Sequence, residues 1–133
     1  MLAQLANFAK TQYDPDFDVY FTKTIKVEDV EVLGLIQGKQ IWLKVDQPLA
    51  ENQLLLYYGI PFYYDLKKLN LIEGEQYFFA LLHEISHSRR AQKDNDPVRE
   101  EFLVNESAAD EFKKKRGAIR KALTFIQEKT SQE

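Results

Sequence analysis

Both histidines of this 133-residue chain fall in one five-residue stretch, His83-Glu84-Ile85-Ser86-His87. Around it Phe78, Leu81, Leu82 and Ile85 recur at helical spacing, which predicts a helix from Gln76 to Arg90 with that stripe toward a core. Positions i and i+4 of an α-helix lie roughly 40° apart, so both imidazoles share one face, largely away from the stripe. A fold built on this segment must bury one side of the helix and leave two nitrogen donors on another. Two imidazoles so placed can hold one metal ion, and the pattern His-Glu-x-x-His points to zinc. Glu84 is one residue out of step with the pair, so its carboxylate is placed to act on a water rather than on the metal. Taken alone, helical histidines are more often surface or satisfied core residues than ligands, and the argument needs a third donor.

The segment Asn105-Glu106-Ser107-Ala108-Ala109-Asp110 supplies a candidate, eighteen residues beyond His87. A catalytic zinc takes three protein ligands, and a carboxylate from a second helix is an accepted third. Glu106 fits: its helical neighbours Phe102 and Ala109 predict an apolar surroundings in which a bare carboxylate would be costly. Asp110, one turn further, is placed to accept the second ring N–H of a ligand, His83 above all, and fix its tautomer. Without the histidines, both acids would read as ordinary solvated groups on a helix surface.

These residues resemble a family. His83-Glu84-x-x-His87, seventeen residues, then Asn105-Glu106-x-x-x-Asp110 is similar to the gluzincin class of zinc metallopeptidases, which includes thermolysin and the membrane-alanyl-aminopeptidase-like enzymes. Glu106-x-x-Ala109-x-x-Phe112 is also similar to the ImmA/IrrE family of small intracellular metallopeptidases, and the short chain resembles the minigluzincins. The resemblance covers about residues 77 to 112. It implies His83, His87 and Glu106 as zinc ligands, Glu84 as general base and Asp110 as the acid behind a ligand histidine. Other zinc classes are excluded by residue. Metzincins would place a glycine and a histidine where this chain has Arg90 and Lys93, and peptide deformylase needs a cysteine, of which there is none.

Length suits one domain spanning 1–133 with a single core. A net charge of −3 with both signs scattered gives no reason to expect nucleic acid as partner, and nothing approaches the ~20 consecutive apolar residues of a membrane span. The one basic run, Lys113-Lys114-Lys115-Arg116, reads as cations at a helix C-terminus just before Gly117. The lack of cysteine, and of a signal-peptide pattern in Met1 to Lys10, makes the cytoplasm the expected compartment.

Along the chain, Leu2, Leu5, Ala6 and Ala9 predict a first helix ending near Thr11, before the turn Asp14-Pro15-Asp16. Val19 to Phe21 and Val32 to Ile36 read as strands, and Gln40 to Val45 alternates polar with apolar after the turn Gln37-Gly38-Lys39. Leu49 to Ile60 reads as a helix or a buried strand, with the helix favoured. Asp96 as N-cap and Pro97 as first residue start the helix of Glu106, and a last helix follows from Ala118 to Glu128. The expected architecture is α+β and zincin-like, a small, mainly antiparallel sheet packed on the zinc helix, with the second helix bringing the third ligand.

The expected function is hydrolysis of peptide bonds in a protein or peptide by a zinc-activated water, with Glu84 moving the protons. In gluzincins an edge strand pairs with the extended substrate, and Gln40 to Val45 is the candidate, with the loop Pro61 to Asp65 nearer in sequence. Support for the oxyanion would come from Tyr57, Tyr58, Tyr63 or Tyr64, or from Arg89, Arg90 or Arg120. Two alternatives stand beside the peptidase: a zincin-like zinc-binding interaction or regulatory domain with little turnover, and a helical-core protein whose motif is accidental.

Overall fold

The computed structural model describes residues 2–44, 68–72, 74–90 and 92–131, with the side chains of 30 and 124–131 left aside. The expectations for Leu49 to Ile60, for Pro61 to Asp65 and for Tyr57, Tyr58, Tyr63 and Tyr64 lie outside the described residues. In chain order the elements are α1 (Leu2–Gln12), β1 (Asp18–Thr22), β2 (Lys26–Val27), β3 (Val30–Glu31), β4 (Gly34–Gln37), β5 (Gln40–Lys44), α2 (Glu75–Arg89) and α3 (Pro97–Ser131). Among the described residues, three helices and a small mixed sheet make an α+β fold.

The sheet has the order β1-β5-β4, with β5 antiparallel to β4 and parallel to β1. A two-residue loop, Gly38-Lys39, forces β4 and β5 to run antiparallel, and Gly38 takes the positive φ of 60° that such a turn asks of its first position. Between β1 and β4 the chain makes a second hairpin, β2 with β3, across Glu28 and Asp29 at φ 51° and 67°. This detour returns the chain to the far side of β5, so β1 pairs parallel and the sheet is mixed rather than mainly antiparallel. Alternate residues Val19, Ile41 and Leu43 turn inward and are buried against the helices.

The helix α2 lies at the centre. Phe78, Phe79, Leu81, Leu82 and Ile85 are buried almost completely, and so are Glu75, His83, Glu84 and Ser86. From Phe78 to Ser86 the helix is covered all round, as a core segment is, so the face carrying His83 is enclosed as well as the apolar stripe. Along α3 the buried residues, among those whose side chains are described, are Glu100, Val104, Asn105, Ala108, Phe112, Ile119 and Leu123. Phe112 packs on Phe79 of α2 with ring centroids 5.7 Å apart. As expected, α3 opens with Asp96, whose Oδ1 accepts the Val98 N–H at 3.0 Å.

The helix does not stop at Gly117. It runs on to Ser131, because Ile119 and Leu123 continue the same buried stripe, and their burial outweighs the ~1 kcal/mol that a glycine costs a helix interior. The basic run is therefore mid-helix rather than at a C-terminus. Its members tie elements together: Lys115 Nζ donates to Gln12 Oε1 at 2.8 Å, and Arg116 reaches the start of α2. There Arg116 donates to Glu75 from Nε and Nη2, each at 3.2 Å, and to the carbonyl of Leu69 at 2.8 Å, while Ile72 N–H donates to Glu75 Oε1 at 2.9 Å. Arg120 Nε stands 3.6 Å from the same carboxylate.

Burial alone would raise the Glu75 carboxyl, but the Ile72 N–H and the two guanidinium groups outweigh it and hold Glu75 below the ordinary carboxylate range. A depressed carboxyl adds stability that is present above its ordinary pKa and is lost as pH falls through the depressed value. Glu75→Gln is therefore predicted to cost on the order of 2 kcal/mol at pH 7. The gap from wild type should narrow below about pH 4. Urea unfolding at the two pH values checks this, and a gap independent of pH would refute it.

Candidate metal centre

The four-residue spacing in α2 sets the His83 and His87 rings 4.9 Å apart, centroid to centroid. From α3 a carboxylate meets them both: Glu101 Oε1 lies 2.8 Å from His83 Nε2 and 3.4 Å from His87 Nε2. These three donors lie within 4.8 Å of one another, and among the described residues they are the one group of histidine and acidic side chains with that geometry. Behind them, His83 Nδ1 is 2.7 Å from Asn105 Oδ1. An amide oxygen can only accept, so Nδ1 of His83 is the donor in this pair, and Nε2 faces Glu101.

The carboxylate that α3 brings to the histidines is thus Glu101, fourteen residues beyond His87, and not Glu106. Glu106 and Asp110 are both exposed and stand outside the group. The correction is one of helix phase. Glu101, Asn105, Ala108 and Phe112 share the face turned to α2, whereas Phe102, the residue that gave Glu106 an apolar setting, is 49 % exposed. The oxygen beside His83 Nδ1, foreseen as that of Asp110, is Asn105 Oδ1. A signal for Glu101 was present in the sequence: it continues the Phe112, Ala108, Asn105 row upward by one turn.

A clamp fixes where Glu101 sits. Arg90, just after α2, donates to both oxygens of Glu100, from Nε at 2.5 Å and from Nη2 at 2.8 Å, and Asp94 N–H donates to Glu100 Oε1 at 2.8 Å. The connection between α2 and α3 is thereby closed on the residue next to Glu101. The arginines considered for the oxyanion have partners other than the histidines: Arg90 pairs with Glu100, Arg120 stands near Glu75, and Arg89 lies over the ring of Tyr13 at 5.5 Å.

Glu84 is buried between α2 and β4, where a Cβ on Gly34 would come within 2.9 Å of its Cγ. The strand β4 is an edge of the sheet among the described residues, whereas β5, expected to receive a substrate, is central and bonded on both sides. Lys44 N–H donates to Leu33 O at 2.9 Å, and the antiparallel alternation then turns the peptide groups of Gly34 and Ile36 away from β5, toward the side of β4 that carries no strand among the described residues.

The donor set suits a cation. Tetrahedral bonds of about 2.0–2.1 Å separate ligand atoms by about 3.3 Å, close to the 3.4 Å between His87 and Glu101, while the 2.8 Å contact to His83 is a hydrogen-bond distance. Side-chain exposure rises from 1 % at His83 to 22 % at His87 and 35 % at Glu101, so the group opens to solvent on one side. No known protein family, characterised protein or solved structure matches the chain.

Burial disfavours the charged forms here, yet the pairing wins. The hydrogen bonds and charges of His83 and His87 bring Glu101 down to about 2. His87 is raised, because its bond to Glu101 and the charges of Glu101 and Glu84 outweigh burial and the opposing charge of Lys93. The contribution of Glu101 is present above the ordinary carboxylate pKa and lost as pH falls toward 2; that of His87 is full below about 6.5 and lost as pH rises through its raised value. Chelator-treated protein is thus predicted to gain most from this pair between about pH 4.5 and 6.5. Melting temperature against pH should show the optimum, and Glu101→Gln should flatten it.

Proposed function

We propose that this chain is a zinc-dependent hydrolase of peptide bonds, with His83, His87 and Glu101 as zinc ligands and Glu84 as general base. The observation that carries this reading is the convergence of two imidazole nitrogens from α2 and one carboxylate oxygen from α3, with a buried carboxylate, Glu84, beside His83 on α2. The resemblance of His83-Glu84-x-x-His87 to the gluzincin motif supports a peptidase, with the third ligand drawn from a shorter spacing than the motif suggested.

When bound in such a site, zinc polarises a carbonyl and acidifies water. Asn105 holds His83 in the tautomer that leaves Nε2 for a ligand bond. Glu84 accepts the proton of the attacking water and returns it to the leaving amine. The outward peptide groups of Gly34 and Ile36 pair with an extended segment and lay its backbone along α2, which favours an unfolded protein segment or a peptide as substrate. No helix among the described residues is long and apolar enough to cross a membrane.

The engagement of Arg89, Arg90 and Arg120 elsewhere favours a second reading, a zinc-binding interaction domain with little turnover. Two measurements decide. Elemental analysis of the purified chain should find about one zinc per chain, retained by Glu106→Ala and largely lost by Glu101→Ala or His83→Ala; retention by Glu101→Ala with loss by Glu106→Ala would return the ligand role to Glu106. Glu84→Gln should keep zinc and fold while hydrolysis falls by on the order of 10²- to 10⁴-fold. New peptide termini, read by mass spectrometry after incubation with a peptide library, should arise with wild type alone. Identical maps from the two proteins would sink the peptidase and leave the interaction domain.

A further inference from the structure

Gly34 has an unusual neighbour for a strand glycine. A Cβ built there would lie 2.9 Å from Glu84 Cγ, 3.2 Å from Oε1 and 3.3 Å from Cδ, the first of these closer than real Cβ atoms come. The backbone does not ask for glycine at this position, since positive φ among the described glycines is confined to Gly38 and Gly74. At an ordinary β conformation, alanine narrows the unfolded ensemble and should stabilise the chain. What requires the missing side chain is therefore the carboxylate opposite.

The contact falls at Cγ, near the root of the Glu84 side chain. Rotating the outer bonds of Glu84 would move Oε1 but not Cγ, so a methyl on Gly34 can be accommodated only by a new χ1 at Glu84 or by retreat of β4 from α2. Glu84 is 4 % exposed and Gly34 is buried, which leaves little free space for either. The edge of the sheet and the carboxylate are thus held in van der Waals contact by the absence of a side chain.

We propose that Gly34 is a positioning residue for Glu84: its bare Cα lets β4 close on α2 and fixes where the carboxylate sits relative to His83, His87 and β4. The consequence for turnover rests on the reading of Glu84 as general base, whereas the contact itself does not. A general base displaced by about 1 Å forfeits on the order of 10²-fold in rate.

The test is a double-mutant cycle on the zinc-supplemented full chain, with Gly34→Ala, Glu84→Ala and the pair. Gly34→Ala should lower the melting temperature by about 3 °C or more, against the sign expected of the backbone effect. In the Glu84→Ala background, where the space is vacated, the same change should leave the melting temperature level or raise it. With a peptide substrate identified as above, Gly34→Ala should keep zinc and KM while kcat falls by about 10-fold or more. Equal melting-temperature changes in both backgrounds, or loss of zinc together with turnover, would overturn the proposal. Should Gly34→Ala fail to fold, the double variant is expected to fold, and failure of both would also overturn it. If wild type cleaves nothing, the hydrolase reading falls by itself, and the melting cycle still decides for or against Gly34.

Discussion

A buried stretch of helix leaves its polar residues no water, and α2 carries Glu75, His83, Glu84 and Ser86 in that condition. A buried charge without a partner costs several kcal/mol, so the surroundings of α2 are constrained by chemistry as well as by shape. Glu75 draws in Arg116 and the peptide of Ile72, and His83 draws in Asn105 and Glu101. Three of these partners belong to α3. Apolar packing through Phe79 and Phe112 brings the two helices together, and the polar partners select which face of α3 is presented.

What was legible in the sequence is what is decided locally. The extents of α1 and α2, the Asp96-Pro97 start of α3 and the turn at Gly38 follow from spacing, capping and backbone freedom within a few residues. The His83 and His87 pair was equally plain, since four residues of helix suffice to set it. The phase of α3 was not. Phe102 has the composition of a core residue and points outward, while Glu101 has the composition of a surface residue and points in; the preference is set by α2, some twenty residues away in sequence.

The sheet order escaped for a related reason. The pairing of β1 with β5 joins segments separated by two hairpins, and the first of these turns at Glu28-Asp29 with positive φ at residues that do not advertise it. Gly117 misled in the opposite sense. A glycine after four basic residues has the look of a helix end, yet the stripe resumes beyond it at Ile119, and an uninterrupted helix buries both parts.

That continuity turns α3 into a spar. Glu101 and Arg116 are fifteen residues apart on it, about 22 Å, and they fasten to opposite ends of α2, one at the histidines and one at Glu75. Two rivets at that distance remove the freedom to slide or roll that a single contact would leave. A shift of one residue between the helices would swing Glu101 through about 100° and strand both acids at once. The alignment of the three donors is therefore guarded by an ion pair with no part in them, and strain introduced at Glu75 or Arg116 would be felt as misalignment at His83 and His87.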